Sequence, residues 1–287
     1  GHWNRSYWNG SNNINNTVTD FLLINSNPDS TTLALQKAYL HKILDTLATE
    51  PNVLYEVVNE PGASGDLTSS FSWQELIVNE VHNYEASHGY SLHPIAVELN
   101  NSQLGSTSAD FLSPYDYQGN PPVYTLGKPV VADTDHYFGG GGGTDWWWKA
   151  FMNGNNMLNM DDMHGTGLLG ILDFGGLEAS SENRQAVRDT RNLTSSINMT
   201  AVVPRGDLSS SGYALADISG HRFIVYAGGA GDVTLELSSA SGISLSTFWL
   251  STADGSLSPK TNVIGGSSNQ SFFSPFGGTL AVLIVNP

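Results

Sequence analysis

Between residues 52 and 196 the sequence alternates short apolar runs of strand length with longer stretches that carry a helical apolar stripe. No other feature constrains the fold as much. Parallel strands need a crossover connection, usually a helix, so this alternation specifies βαβ units and a parallel sheet. Thr31–Thr49 places Leu35, Ala38, Tyr39, Lys42, Ile43 and Leu47 on one stripe, and Pro28-Asp29-Ser30 supplies start signals just before it. Asn52–Pro61 follows as a strand, then a helix over Ser72–Ser87. Strands are expected at His93–Leu99, Ala109–Ser113, Lys128–Asp135 and Asn156–Met160, with helices at Thr144–Asn153 and Ser181–Ser196.

The flanks read differently. Residues 1–31 are rich in Asn, Ser and Trp without a sustained period, which predicts a long loop holding one short apolar piece, Phe21 to Ile24. After Asn198 the helical period disappears. Short β-rich runs at Gly212–Ala216, Arg222–Ala227, Val233–Leu237, Ser244–Leu250 and Thr279–Val285 are separated by Gly, Ser, Asp and Pro, the pattern of an antiparallel β-sandwich. The expected division is 1–197 for the α/β part and 198–287 for the sandwich.

Charge and cysteine usage narrow the function. Asp plus Glu number 27 against 11 Lys plus Arg, a formal net charge of −16. Such a chain repels nucleic acid and anionic membranes, so neutral or cationic partners are expected. No stretch of about 18 apolar residues is present to span a bilayer. With 0 Cys, disulfides, cysteine metal sites and thiol nucleophiles are excluded, which fits a secreted or periplasmic bacterial protein, although a cytoplasmic one can also lack cysteine. The Gly139–Gly143 run lacks the Lys-Ser/Thr of a phosphate loop, and no Gly-x-Ser-x-Gly elbow of a serine esterase occurs.

Asn59-Glu60-Pro61 ends the first apolar strand. Strand carboxyl ends carry the active site in β/α-barrels, and a carboxyl group desolvated on its strand side suits a general acid. Glu56, four residues earlier, falls on the same side of a regular strand and is expected as a deeper, buried carboxylate. In Lys128-Pro-Val-Val-Ala-Asp-Thr-Asp-His136, Asp133 and Asp135 are two apart and share a face. Either is a candidate second carboxylate. His136 is a candidate to orient a carboxylate or bind a hydroxyl, and Tyr115 is a further substrate-binding candidate. One of Trp146, Trp147 and Trp148 is expected to line the cleft and stack on a ligand's apolar face, with Trp146 and Trp147 the candidates, and the other two to pack the helix into the barrel. Asp161-Asp162 alone is too sparse for a metal site, so neither metal nor cofactor is expected.

Asn52 to Pro61 resembles the fourth barrel strand of clan A glycoside hydrolases, the cellulase-like superfamily. The segment from Asp133-Thr-Asp-His136 through Trp147-Trp148-Lys149 resembles a branch of those barrels, as do Val203-Pro-Arg-Gly-Asp-Leu208 and Ser274-Pro-Phe-Gly-Gly278 of the collagen-binding-type sandwich that follows them. The resemblance implies a (β/α) TIM-type barrel plus sandwich, with Glu60 as acid/base and Asn59 on the sugar. Clan A members carry a glutamate where this chain has Asp133 and Asp135, so stereochemistry stays open. The implied activity is cleavage of a β-linked polysaccharide or oligosaccharide. The alternative is a catalytically impaired carbohydrate-binding protein on the same scaffold. Only strands four to eight can be counted, so the chain is expected to begin after the third strand. A homo-oligomer or a rearrangement is expected to cover the open edge.

Overall fold

A computed structural model describes residues 2–59, 61, 67–99, 103–114, 121, 127–133, 143–158, 181–217, 219, 221–229, 231–266, 268–278 and 280–287. They form two compact units, residues 1–116 with 128–130, and residues 117–127 with 131–287. Five strands lie in one sheet in chain order: β1 (Tyr55–Glu56), β2 (Ile95–Leu99), β3 (Phe111–Pro114), β4 (Val130–Asp133) and β5 (Asn155–Leu158). The β1–β2, β2–β3 and β3–β4 pairs are parallel, as strand–helix alternation requires. β1 is two residues long where Asn52–Pro61 suggested a full strand; among the described residues it is the sheet's edge and has a single neighbour.

In the first unit α1 is Phe21–Ile24, α2 is Ser30–Leu47 and α3 is Leu67–His88. Asp29 caps α2, its carboxylate accepting from the Thr32 N–H at 2.7 Å, as the Pro-Asp-Ser signal predicts. α3 starts five residues before the expected Ser72 and closes on Gly89 at φ +68°. There Gly89 N–H donates to Ala86 O and Tyr90 N–H to Glu85 O, the paired bonds of a Schellman stop.

α3 then holds β2 at both ends. At the strand's start, the buried Glu85 carboxylate accepts from His93 Nδ1 at 2.6 Å and from the His93 backbone N–H at 3.0 Å. At its carboxyl end, Gln74 donates to Glu98 O at 2.8 Å and accepts from Glu98 N–H at 2.9 Å. The next residue, Glu75, takes the Ser108 N–H at 3.0 Å and the Thr107 and Ser108 hydroxyls, fixing the approach to β3.

The second unit is layered. A six-stranded antiparallel sheet runs β11-β10-β13-β8-β7-β6, from Thr261–Ile264, Ser244–Ser251, Ala281–Asn286, Phe223–Gly228, Ala214–Asp217 and Val202–Pro204. A two-stranded sheet pairs β12 (Asn269–Phe273) with β9 (Asp232–Glu236). Alternate residues of β8 serve different cores. Phe223, Val225 and Ala227 pack with Val233, Leu235 and Phe272 inside the sandwich. Ile224 and Tyr226 pack against α4 (Gly143–Met152) and α5 (Ser181–Ser196). A sheet buried on both faces reads as a continuous apolar run, which is why Phe223-Ile-Val-Tyr-Ala227 shows no polar alternation. β6, β11 and β12 escaped sequence reading because they lie at sheet margins and bury little; Thr261–Ile264 is mostly exposed. No helix among the described residues is long and apolar enough to cross a membrane.

Candidate active site

Parallel strands present their carboxyl ends along one edge of a sheet, so the ends of β1, β2 and β3 share an edge of the first unit. Asn59 follows β1 there and is exposed. β4 ends at Asp133, of which the backbone is described. Glu60, Asp135, His136 and Tyr115 lie outside the described residues.

Register places one more carboxylate that sequence reading did not single out. Glu56 pairs with Ala96, Ala96 with Phe111, and Glu98 with Ser113. Paired residues share a face and residues two apart return to it, so Glu98 lies on the face of Glu56, one step nearer the strands' carboxyl end. Glu98 is 7% exposed, and Gln74 fixes its backbone in both directions. Its signal in the sequence is an acid inside the apolar run Ile95-Ala-Val-Glu-Leu99. Glu56 itself is exposed, not the deep carboxylate expected of it, because β1 is an edge strand.

The tryptophans are interior. Trp146 is buried against Ala132 of β4 and Ala150. Trp147, 3% exposed, donates from Nε1 to Thr190 Oγ1 at 3.2 Å and packs in the core between the helices and the six-stranded sheet. Trp148 lies flat against the Tyr226 ring at a centroid distance of 6.3 Å. The Tyr226 hydroxyl donates to Asp145 Oδ1 at 2.8 Å, and burial first, then Asp145, holds its phenol far above the ordinary range. Asp145 also meets Lys149 at 2.6 Å, one helical turn on.

The first unit contains a cavity of about 580 Å³ that sequence reading missed. Trp3 and Trp8 of the amino-terminal segment, Tyr39 of α2, Trp73 of α3, and Tyr55 and Glu56 of β1 are among its walls. Tyr55, Val57 and Ile95 share a strand face, so the cavity lies on the helix side of β1, opposite the face of Glu98. The Tyr55 hydroxyl is buried without a partner among the described residues, and burial followed by the Glu85 charge raises its phenol. No group of three acidic or histidine side chains among the described residues is arranged to hold a metal.

No family model matches the chain, and no curated protein matches it in sequence. Solved structures do. One is a glycoside hydrolase family 5 protein from Bacteroides vulgatus, with TM-score 0.59 and 15% identity over 87% of this chain. Another is a glycoside hydrolase with TM-score 0.59 and 13% identity over 88% of this chain. In fold, this chain is similar to glycoside hydrolases. It spans 65% of the first neighbour and 69% of the second, and at these identities the likeness is one of fold.

Proposed function

We propose that this protein hydrolyses O-glycosidic bonds of a β-linked polysaccharide or oligosaccharide with two carboxyl groups. Glu60 protonates the leaving oxygen, and Asp133 or Asp135 attacks the anomeric carbon or activates water on the opposite face. The observation that carries this reading is topological. Five strands follow one another in chain order, and β1, before Glu60, runs parallel in the same sheet as β4, which ends at Asp133. The likeness in fold to two glycoside hydrolases supports it. Asn59, His136 and Tyr115 are assigned to the sugar around the scissile bond, and Glu98 to the floor of the same face.

The test is turnover of aryl β-glycosides and β-linked polysaccharides by the unmodified protein and by Glu60→Gln, Asp133→Asn and Asp135→Asn. Loss of the general acid is expected to slow hydrolysis by roughly 10²–10⁴-fold, and one aspartate variant should lose as much. Unchanged rates in Glu60→Gln remove the proposal. Saccharide binding without turnover in the unmodified protein favours the impaired, binding-only reading.

The same proposal includes a second copy covering the edge of β1. The first unit leaves Tyr39 and Leu54 each 62% exposed, with Phe21 and Leu22 of α1 also open to solvent. Sedimentation equilibrium showing a monomer at micromolar concentration overturns this part.

A further inference from the structure

The second unit has a cavity of its own, about 530 Å³, between α5 and the outer face of the six-stranded sheet. That volume lies within the range of small-ligand sites. Its apolar wall comes from Leu193 of α5 and from Phe248, Leu250 and Ile284 of the sheet. Its polar groups stand on both sides: Asp189, Asn192 and Ser196 on α5, Arg222 and Asn286 on the sheet side.

Asp189 makes this more than a packing gap. The residue is 5% exposed and lines the cavity; Oδ1 accepts from Gln185 Nε2 at 2.7 Å, while the buried Oδ2 has no partner among the described residues. A buried acceptor left unmade costs free energy that a donor from a ligand recovers. Burial, opposed by the Gln185 bond, raises this carboxyl above the ordinary aspartate range. Gly255 lets the neighbouring turn close over it. That glycine sits at φ +75°, and a Cβ there would run into the Gln185 amide and the Asp189 carboxylate. Across the cavity, Arg222 donates from Nε to Asn286 Oδ1 at 2.9 Å, leaving its terminal amino groups without a partner among the described residues.

The chemistry of the set selects the ligand. Asp, Asn and Arg side chains are planar and offer paired donors or acceptors, which match neighbouring hydroxyls on a ring. The apolar wall suits the C–H face of the same ring. A fully charged ligand meets a like charge at one end, because Asp189 faces the cavity from α5 while Arg222 and Lys260 stand on the sheet side. Lys260 is already placed over the Phe248 ring, 5.4 Å from its centroid. We propose that this cavity binds a neutral saccharide, as a site separate from the hydrolytic one, with Asp189, Asn192 and Arg222 on its hydroxyls.

The experiment is titration calorimetry of the whole protein with neutral cello-, xylo- and manno-oligosaccharides, with oligogalacturonate and benzoate as charged controls. It is done in the Glu60→Gln background, so that hydrolysis plays no part. At least one neutral oligosaccharide should bind. Arg222→Ala should weaken it roughly tenfold or more, the loss expected for a hydrogen bond to a charged group. Asn192 is exposed on α5, so Asn192→Ala should weaken binding with an unchanged melting temperature even if Arg222→Ala disturbs the fold. The proposal is overturned if no neutral oligosaccharide binds at millimolar concentration, if Asn192→Ala binds as the parent does, or if only the charged controls bind. Binding that Asn192→Ala weakens and that Asn59→Ala, at the hydrolytic site, leaves intact separates the two sites; binding abolished by Asn59→Ala refutes their separation.

Discussion

Replacing His93 by alanine tests how the first unit positions β2. The imidazole is 3% and the Glu85 side chain 0% exposed. Its Nδ1 meets Glu85 Oε1 at 2.6 Å, and its Nε2 lies 3.1 Å from the Glu50 carbonyl. Alanine removes both contacts and leaves the Glu85 carboxylate buried, with the backbone N–H of residue 93 as its remaining donor there. Breaking a buried pair from one side costs about 3–5 kcal/mol, because a charge stays buried without its counterpart. With total stabilities of about 5–15 kcal/mol, that is a large share of what holds the unit folded. The unit, residues 1–116 with 128–130, is smaller than the 150–250 residues for which roughly 2–4 °C per kcal/mol holds, so the melting temperature should fall by at least roughly 6–20 °C. Differential scanning calorimetry and urea titration followed by tryptophan fluorescence measure it. Glu85→Gln, which keeps shape and an acceptor, should lose clearly less. A drop under about 2 °C in His93→Ala would show that the pair is hydrated and that β2 is held by other means.

Three further outcomes follow from the geometry. Trp148→Ala empties a fully buried site between α4 and Tyr226 and should cost about 3–5 kcal/mol in urea denaturation, whereas a loss below about 1 kcal/mol would place that ring in solvent. Glu80 is held below the ordinary glutamate range, first by its hydrogen bond from Lys37 and also by His41, against the opposing effect of burial. A carboxyl depressed by folding adds stability above its unfolded pKa that is lost as pH falls toward the folded value. Stability measured from pH 6 down to pH 3 should therefore fall less steeply in Glu80→Gln than in the parent; parallel curves would count against the Lys37–Glu80 bond at 2.6 Å. Gly255→Ala should be destabilising by about 1–3 kcal/mol, since it combines a positive φ with a blocked Cβ, and a neutral result would show that the turn does not press on Asp189.

Much of the fold was legible because it depends on local pattern. The helix of Thr31–Thr49, the start signal at Asp29 and the run Phe223–Ala227 each report a period or a cap that a few residues encode, but the buried face of that helix carries Thr32 and Leu44, while Ala38, Tyr39 and Lys42 of the expected stripe are exposed. α5 matches its expected limits, Ser181–Ser196. The tryptophans show where such reading stops. Three consecutive tryptophans satisfy a sugar cleft or a core equally well, and the presence of the six-stranded sheet behind α4 makes Trp147 and Trp148 core residues.

Strand–helix alternation, an acidic charge balance and an Asn-Glu-Pro strand end were properties of the sequence alone, because each is set by neighbours along the chain. Which carboxylates share a face was decided by register: Glu98 joins Glu56 through pairing with residues about forty positions away. So were the buried pair of Glu85 and His93 and the unpartnered oxygen of Asp189, since burial depends on what the rest of the chain packs over a residue. Desolvation is a tertiary quantity, and it is desolvation that turns an ordinary acid into a site.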